Sequence, residues 1–148
     1  MPRPGAVRER VYGTCGLLQE RGGQMTPRKI VMIEDSKAAS TVLKEVLASE
    51  GYTVLHAGDG VSGLALARRE KPDLILLDLL LPKLNGYEVC NALMRDSLTR
   101  HTPVLIISTL DTSESIEKAK QCGARNFMKK PYNLDDLLLE IKRLLPKE

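Results

Sequence analysis

The chain has 148 residues, of which 43% are hydrophobic and 28% charged, with a net charge of +3. That is the length of one domain with an ordinary globular composition, which excludes a wholly disordered chain. Residues 1–25 hold four arginines against two glutamates, whereas residues 26–148 hold 18 basic and 17 acidic residues, so the body lacks the basic footprint of a nucleic-acid or anionic-membrane binder.

The longest apolar runs, such as Leu74–Leu77 and Val104–Ile107, are four residues long. A membrane span takes about 20 apolar residues and a signal peptide about 7–15, so the expectation is a cytoplasmic protein. Cys15, Cys90 and Cys122 are scattered without a Cys-x-x-Cys, which argues against a disulfide framework or a zinc site. Cys90 and Cys122 read as small buried hydrophobes.

Residues 1–25 have no periodicity and are rich in Gly and Pro, so they read as a flexible N-terminal extension before a folded domain over residues 26–148. Met25 stands directly before the first patterned segment and is a second candidate start. Ile30–Ile33 reads as a strand. Ala39, Val42, Leu43, Val46 and Leu47 then recur at helical spacing until Gly51 stops the helix. Tyr52–Ala57 is a second strand, and its Thr53 and His56 suit a sheet edge. Val61, Leu64 and Ala65 open a second helix that ends before Pro72. Asp73–Leu77 is a third strand, and a third helix lies around Tyr87–Met94 after Gly86. Val104–Ile107 is a fourth strand, and Ser113–Cys122 a fourth helix closed by Gly123. Asn126–Met128 is a short fifth strand. Leu134, Leu137, Leu138, Ile141, Leu144 and Leu145 form the apolar stripe of a last helix. Five continuous apolar strands alternating with five helices predict an α/β fold with a doubly wound parallel sheet.

In such a sheet ligands bind beyond the carboxyl ends of the strands. Strand one ends in Glu34-Asp35, strand three in Asp78, strand four in Ser108-Thr109 and strand five in Lys129-Lys130-Pro131. Strand two ends in Ala57-Gly58 and offers no functional side chain. Crowded carboxylates need a cation, and hard oxygen donors suit Mg²⁺. A hydroxyl and an ammonium beside that cation suit a phosphoryl group. A carboxylate can itself be the nucleophile, and Asp78, on a central strand, is the best placed. His56 and His101 stand alone and suggest no ligand set.

These residues resemble the receiver domain of bacterial two-component response regulators, of the stand-alone chemotaxis type. The matching stretches are Ile-Val-Met-Ile-Glu-Asp at 30–35, Leu-Ile-Leu-Leu-Asp-Leu-Leu-Leu-Pro at 74–82, Asn-Gly at 85–86, Ile-Ile-Ser-Thr at 106–109, Gly-Ala at 123–124 and Lys-Pro at 130–131. The resemblance covers residues 28–145. It implies a flavodoxin-like (βα)5 fold with strand order 2-1-3-4-5. It implies that Asp78 accepts a phosphoryl group from a sensor histidine kinase or a phosphotransfer protein. Asp35, Glu34 through water, Asp78 and the backbone carbonyl of Leu80 would hold Mg²⁺ (or Mn²⁺). Ser108 and Lys130 would hold phosphoryl oxygens, with Pro131 after a cis peptide. Ser108 and Phe127 would act as the switch pair, and the surface from the fourth to the fifth helix would signal to a downstream effector protein. The protein would be a phosphoacceptor without turnover, monomeric or a weak phosphorylation-dependent dimer, with no nucleic-acid or membrane partner. No output segment follows the last helix, so the expectation is signalling by contact or by phosphorelay.

The sequence departs from the family pattern in places. Glu34 stands for an aspartate, Ser108 for a threonine, Thr109 for an alanine and Tyr132 for a phenylalanine. Leu80 and Leu110 occupy the two positions that tune self-dephosphorylation. Both are apolar and cannot orient an attacking water, which implies a long-lived phosphoryl group.

Two other readings compete with this one. Gly58-Asp59-Gly60-Val61-Ser62-Gly63 fits the Gly-x-Gly-x-x-Gly fingerprint of a dinucleotide-binding domain, with Asp78 twenty residues beyond Gly58. That reading leaves Glu34, Asp35, Ser108 and Lys130 without a task. The other is a receiver-like interaction module that works without phosphorylation. Such modules usually lack a site residue, and none is missing here.

Overall fold

The computed structural model describes residues 19–21, 24–109 and 112–145. Cys15 and Leu110 lie outside the described residues, as does most of the stretch read as an extension. Across its end, Gln19–Arg21 (β1) and Gln24–Thr26 (β2) pair as a short antiparallel ladder with Gln19 opposite Thr26, which no sequence periodicity announces.

The body alternates strands and helices. The strands are Lys29–Ile33 (β3), Thr53–Ala57 (β4), Leu74–Asp78 (β5), Val104–Ser108 (β6) and Asn126–Lys129 (β7). The helices are Lys37–Ser49 (α1), Gly60–Glu70 (α2), Gly86–Arg95 (α3), Ser113–Gln121 (α4) and Leu134–Leu144 (α5). The five strands form one parallel sheet in the order β4-β3-β5-β6-β7. Counted within that sheet the order is 2-1-3-4-5, the flavodoxin-like doubly wound topology. The polar second strand sits at the edge, as its composition predicts.

Alternation along the strands divides the core in two. Ile30, Met32, Leu74, Leu76, Leu105 and Ile107 face one side and pack with Leu43 and Leu47 of α1 and with Leu137 and Ile141 of α5. Val31, Ile33, Ile75, Leu77, Val104 and Ile106 face the other and pack with Ala67, Val89, Cys90, Leu93 and Ala119. A strand buried on both sides must be apolar at every position, which is why these segments read as unbroken runs.

Helix faces depart from the sequence pattern in three places. In α2 the buried residues are Gly60, Gly63 and Ala67, while Val61 is 52% exposed. A Cβ on Gly63 would come within 2.7 Å of the Ile33 side chain, so α2 packs by small residues that a hydrophobic pattern does not register. In α1, Val42 is exposed and Leu43 and Leu47 carry the contact. In α5, Leu134 is exposed at the start of the helix, and the stripe begins at Leu137.

Each helix opens with a side chain that accepts a backbone N–H: Ser36, Asp59, Asn85, Thr112 and Asn133. Asn85 and Glu88 complete a reciprocal capping box. Because every helix follows a strand, all five capped N-termini open at the carboxyl rim of the sheet, where their partial positive charge favours anions.

Candidate functional site

The strand registers bring the polar strand ends together. Ile33 pairs with Leu77, Asp78 with Ile107, and Ser108 with Lys129. Glu34, Asp78, Ser108 and Lys130 therefore end four adjacent strands at one rim.

Lys130 joins them. Its Nζ donates to Asp78 Oδ2 and to Glu34 Oε1, both at 2.9 Å. The other Asp78 oxygen, Oδ1, accepts the Leu80 N–H at 3.0 Å. Glu34 Oε2 accepts the Ser36 N–H at 3.3 Å. Asp78 and Ser108 are buried, while Glu34 and Lys130 are partly covered. Burial pushes the Lys130 ammonium toward losing its proton. Hydrogen bonds and charge from Asp78 and Glu34 outweigh that, and its pKa lies above the usual lysine value.

The β7 end aims this ammonium. The Lys130 N–H donates to the Ser108 carbonyl at 2.8 Å, and the Lys130–Pro131 peptide is cis. Tyr132, the next residue, packs against the α1–α5 core, and burial raises its phenol pKa. Of the lysine pair, Lys129 is exposed and Lys130 is turned into the site. The loop after Asp78 is tightly drawn. The Gly86 N–H donates to the Leu79 carbonyl at 2.9 Å. A Cβ on Gly86 would fall 2.5 Å from Leu79 Cα and 2.7 Å from the Asp78 carbonyl oxygen, so this position requires glycine.

Not every expected residue converges. Asp35 is exposed, and no group of three His, Cys, Asp or Glu side chains that could hold a metal ion is gathered among the described residues. Lys130 occupies the space between the other two carboxylates. The donor set nonetheless suits a hard divalent cation. Three carboxylates at adjacent strand ends against one ammonium leave two formal negative charges, and all the donors are oxygens. Phe127 is half-buried and packs on the α2–α4 side of the sheet, opposite Ile106 in register. Leu80 is exposed.

One residue of the site escapes the sequence. His56, which stands alone in the chain, donates from Nε2 to the Glu34 carbonyl at 2.7 Å. Its place in the strand register opposite Met32 is the signal that could have found it, since this puts it two residues short of Glu34 along the neighbouring strand. The glycine fingerprint has a packing explanation instead. A Cβ on Gly60 would meet Leu84 at 2.7 Å and Val89 at 2.8 Å, and Gly63 abuts Ile33, so both are spent on helix packing, while Gly58 has nothing within 4 Å.

A parallel 2-1-3-4-5 sheet with an acid pair, a central aspartate, a hydroxyl and a lysine at its carboxyl rim defines a receiver-type signalling module. The chain belongs to the response regulator receiver domain family, whose model matches residues 30–142. It is 37% identical over 117 residues to the protein PilH of Pseudomonas aeruginosa, covering 79% of this chain and 97% of that one. Other curated relatives are longer, and the chain spans 48% of one and 24% of another. In structure it is similar to the chemotaxis protein CheY4 of Vibrio cholerae, with a TM-score of 0.75, 30% identity, and 79% and 98% of the two chains covered. It is also similar to the receiver domain of the sensor histidine kinase PA1611 of P. aeruginosa, a structure with a magnesium ion coordinated in the active-site cleft. There the TM-score is 0.74 and the identity 27%, over 80% and 97% of the chains. Among the described residues no helix is long and apolar enough to cross a membrane.

Proposed function

We propose that Asp78 accepts a phosphoryl group from a phosphohistidine of a sensor kinase or phosphotransfer protein, in a Mg²⁺-dependent reaction. The state would then be read by a downstream effector protein at the α4–β7–α5 face. The observation that carries this reading is the Asp78 carboxylate itself: buried, with Oδ1 fixed by the Leu80 N–H and Oδ2 fixed by Lys130.

In the transfer, an Asp78 oxygen forms a bond to phosphorus as the phosphorus–nitrogen bond breaks. The imidazole of the donor keeps that electron pair and takes up a proton. Lys130 holds the attacking carboxylate in place and, once the phosphoryl group arrives, donates to one of its oxygens. Ser108, on the neighbouring strand, supplies a hydroxyl donor. Glu34, Asp35, Asp78 and the Leu80 carbonyl would hold Mg²⁺ (or Mn²⁺), which supplies charge neutralisation for the phosphoryl oxygens.

The new charge competes for Lys130 and Ser108, and Phe127 responds where β7 meets α4. Receivers are signalling modules rather than turnover enzymes, and this one assists its own modification. The donor kinases consume ATP, which sets the reaction in the cytoplasm. Signalling proceeds as a monomer or through a weak dimer that phosphorylation favours. The apolar Leu80 and Leu110 give the phosphoryl group a long life; a polar residue at Leu80 shortens it, measured as decay of the phosphorylated fraction.

The test is intact mass after incubation with Mg²⁺ and a small phosphodonor. One added phosphoryl group, dependent on Mg²⁺ and absent in Asp78→Asn, is the expected result. The absence of both modification and Mg²⁺ binding would overturn the reading and favour a module that acts without phosphorylation.

A further inference from the structure

We infer that His56 is a positioning residue for the acid pair Glu34-Asp35 and, through it, for the divalent cation; this rests on the Mg²⁺-dependent reading above. Glu34 lies one residue beyond β3. Its N–H still follows the ladder, donating to the Ala57 carbonyl at 3.0 Å. In a parallel ladder its carbonyl would take the next N–H along the neighbouring strand. But β4 ends at Ala57, and the chain turns away into α2 with Asp59 as its cap. The His56 side chain supplies the donor instead, at 2.7 Å. A carbonyl only accepts, so Nε2 carries the hydrogen.

That carbonyl belongs to the peptide plane joining Glu34 to Asp35. A peptide plane is rigid, so fixing its oxygen sets the direction in which both acids leave the backbone. The rest of Glu34 is held from other elements: Oε1 by Lys130 and Oε2 by the Ser36 N–H. His56 is the contact that orients the link to Asp35, whose own side chain is exposed. Without it the plane can rotate, and the direction in which Asp35 leaves the backbone relative to Glu34 is no longer fixed.

The experiment compares the parent with His56→Phe, which keeps a ring but removes the donor, and His56→Gln, which restores a side-chain N–H. Mg²⁺ affinity is measured by calorimetry, and thermal unfolding is followed in EDTA. The expected result is Mg²⁺ binding weaker by about ten-fold in His56→Phe, the low end of what outer-shell partners of a metal contribute. Most of it should be recovered in His56→Gln, with little change in metal-free melting. Unchanged Mg²⁺ affinity in a parent-like His56→Phe, or a loss that Gln does not rescue and that tracks a fall in metal-free melting, would assign His56 to packing and overturn the inference. A parent that binds no Mg²⁺ would overturn both this inference and the reading beneath it, whereas a modified parent with an indifferent His56→Phe would overturn this one alone.

Discussion

The two rims of the sheet use the same side chains in opposite ratios. At the amino rim one carboxylate, Glu70, faces two cations: Lys29 Nζ and Arg69 Nε, both at 3.1 Å. At the carboxyl rim one cation, Lys130, faces two carboxylates at 2.9 Å. The amino-rim pair of Lys29 and Glu70 is 36% and 27% exposed, and Lys130, Glu34 and Asp78 are 20%, 13% and 10% exposed. Exposed pairs are screened and contribute roughly 0–1 kcal/mol each. The covered cluster is less screened and short of positive charge, an imbalance that suits a cation. The uncompensated charge is what sets the carboxyl rim apart, since both rims carry ion pairs.

The largest expected difference between the rims is chemical. Asp78→Asn abolishes the added mass from a phosphodonor. Asp73→Asn, which alters the acceptor of the Lys29 N–H at 2.7 Å, leaves modification intact and costs about 1 kcal/mol in unfolding. Modification surviving in Asp78→Asn would move the acceptor elsewhere and remove the contrast.

The connectors differ next. At the carboxyl rim, Gly86→Ala drives a Cβ into backbone and costs about 3 kcal/mol, the upper end for overpacking. At the amino rim, Lys71 caps α2 in the left-handed region with φ 48°. Lys71→Gly relieves that conformation and is neutral or stabilising by up to about 0.5 kcal/mol. Denaturant unfolding of the two variants checks both. A benign Gly86→Ala would mean that the loop over Asp78 can yield.

The rims are legible in the sequence to different degrees, for physical reasons. Unbroken apolar runs announce strands buried on both faces. The residues just after each run must then lie at the carboxyl rim, so Glu34, Asp78, Ser108 and Lys130 can be placed from sequence. Partnering is not legible. The Lys-Pro step singles out Lys130 through the family resemblance, but nothing says that it bridges Glu34 and Asp78, which lie 96 and 52 residues away along the chain. His56 looks isolated because its acceptor is a backbone carbonyl, which carries no side-chain signature. Of the apolar positions Val61, Leu64 and Ala65 that announce α2, Leu64 packs against the core, but Val61 is exposed and the closest packing falls to glycine, a residue that hydrophobic periodicity ignores. The β1–β2 ladder, at polar residues such as Gln19 and Gln24, has no apolar alternation to read.

Lys130→Met sharpens the comparison further. Removing the ammonium leaves Glu34 and Asp78 facing each other without compensation, at a cost of about 2 kcal/mol, below the range for a fully buried pair because the cluster is partly wet. Lys29→Met changes stability by less than about 1 kcal/mol. Mg²⁺ then stabilises Lys130→Met more than the parent, because the metal replaces the lost cation as well as its own charge. Melting series with and without Mg²⁺ read this directly, and equal metal stabilisation in both proteins would show that Lys130 is not what balances the two acids.

The smallest effect, and the finest test, is in the pH dependence. Unfolded, Lys130 titrates near 10.5; folded, its partners raise it, so its contribution to stability is fully present below that value and is lost as pH rises through the folded pKa. Glu70 behaves in the opposite way. Hydrogen bonds from Arg69 and then Lys29 hold its carboxyl below its ordinary 4.5, so its contribution is present above that value and is lost as pH falls through the folded pKa. The carboxyl rim therefore weakens in alkali and the amino rim in acid. Lys130→Met flattens the alkaline fall in melting temperature, and Glu70→Gln flattens the acid fall. Salt separates them again: at 1 M the screening length is about 3 Å, so the exposed Glu70 contribution shrinks while the covered Lys130 contribution persists. An alkaline fall that salt removes as completely as the acid one would mean that solvent reaches both rims alike, and the contrast between them would then rest on composition alone.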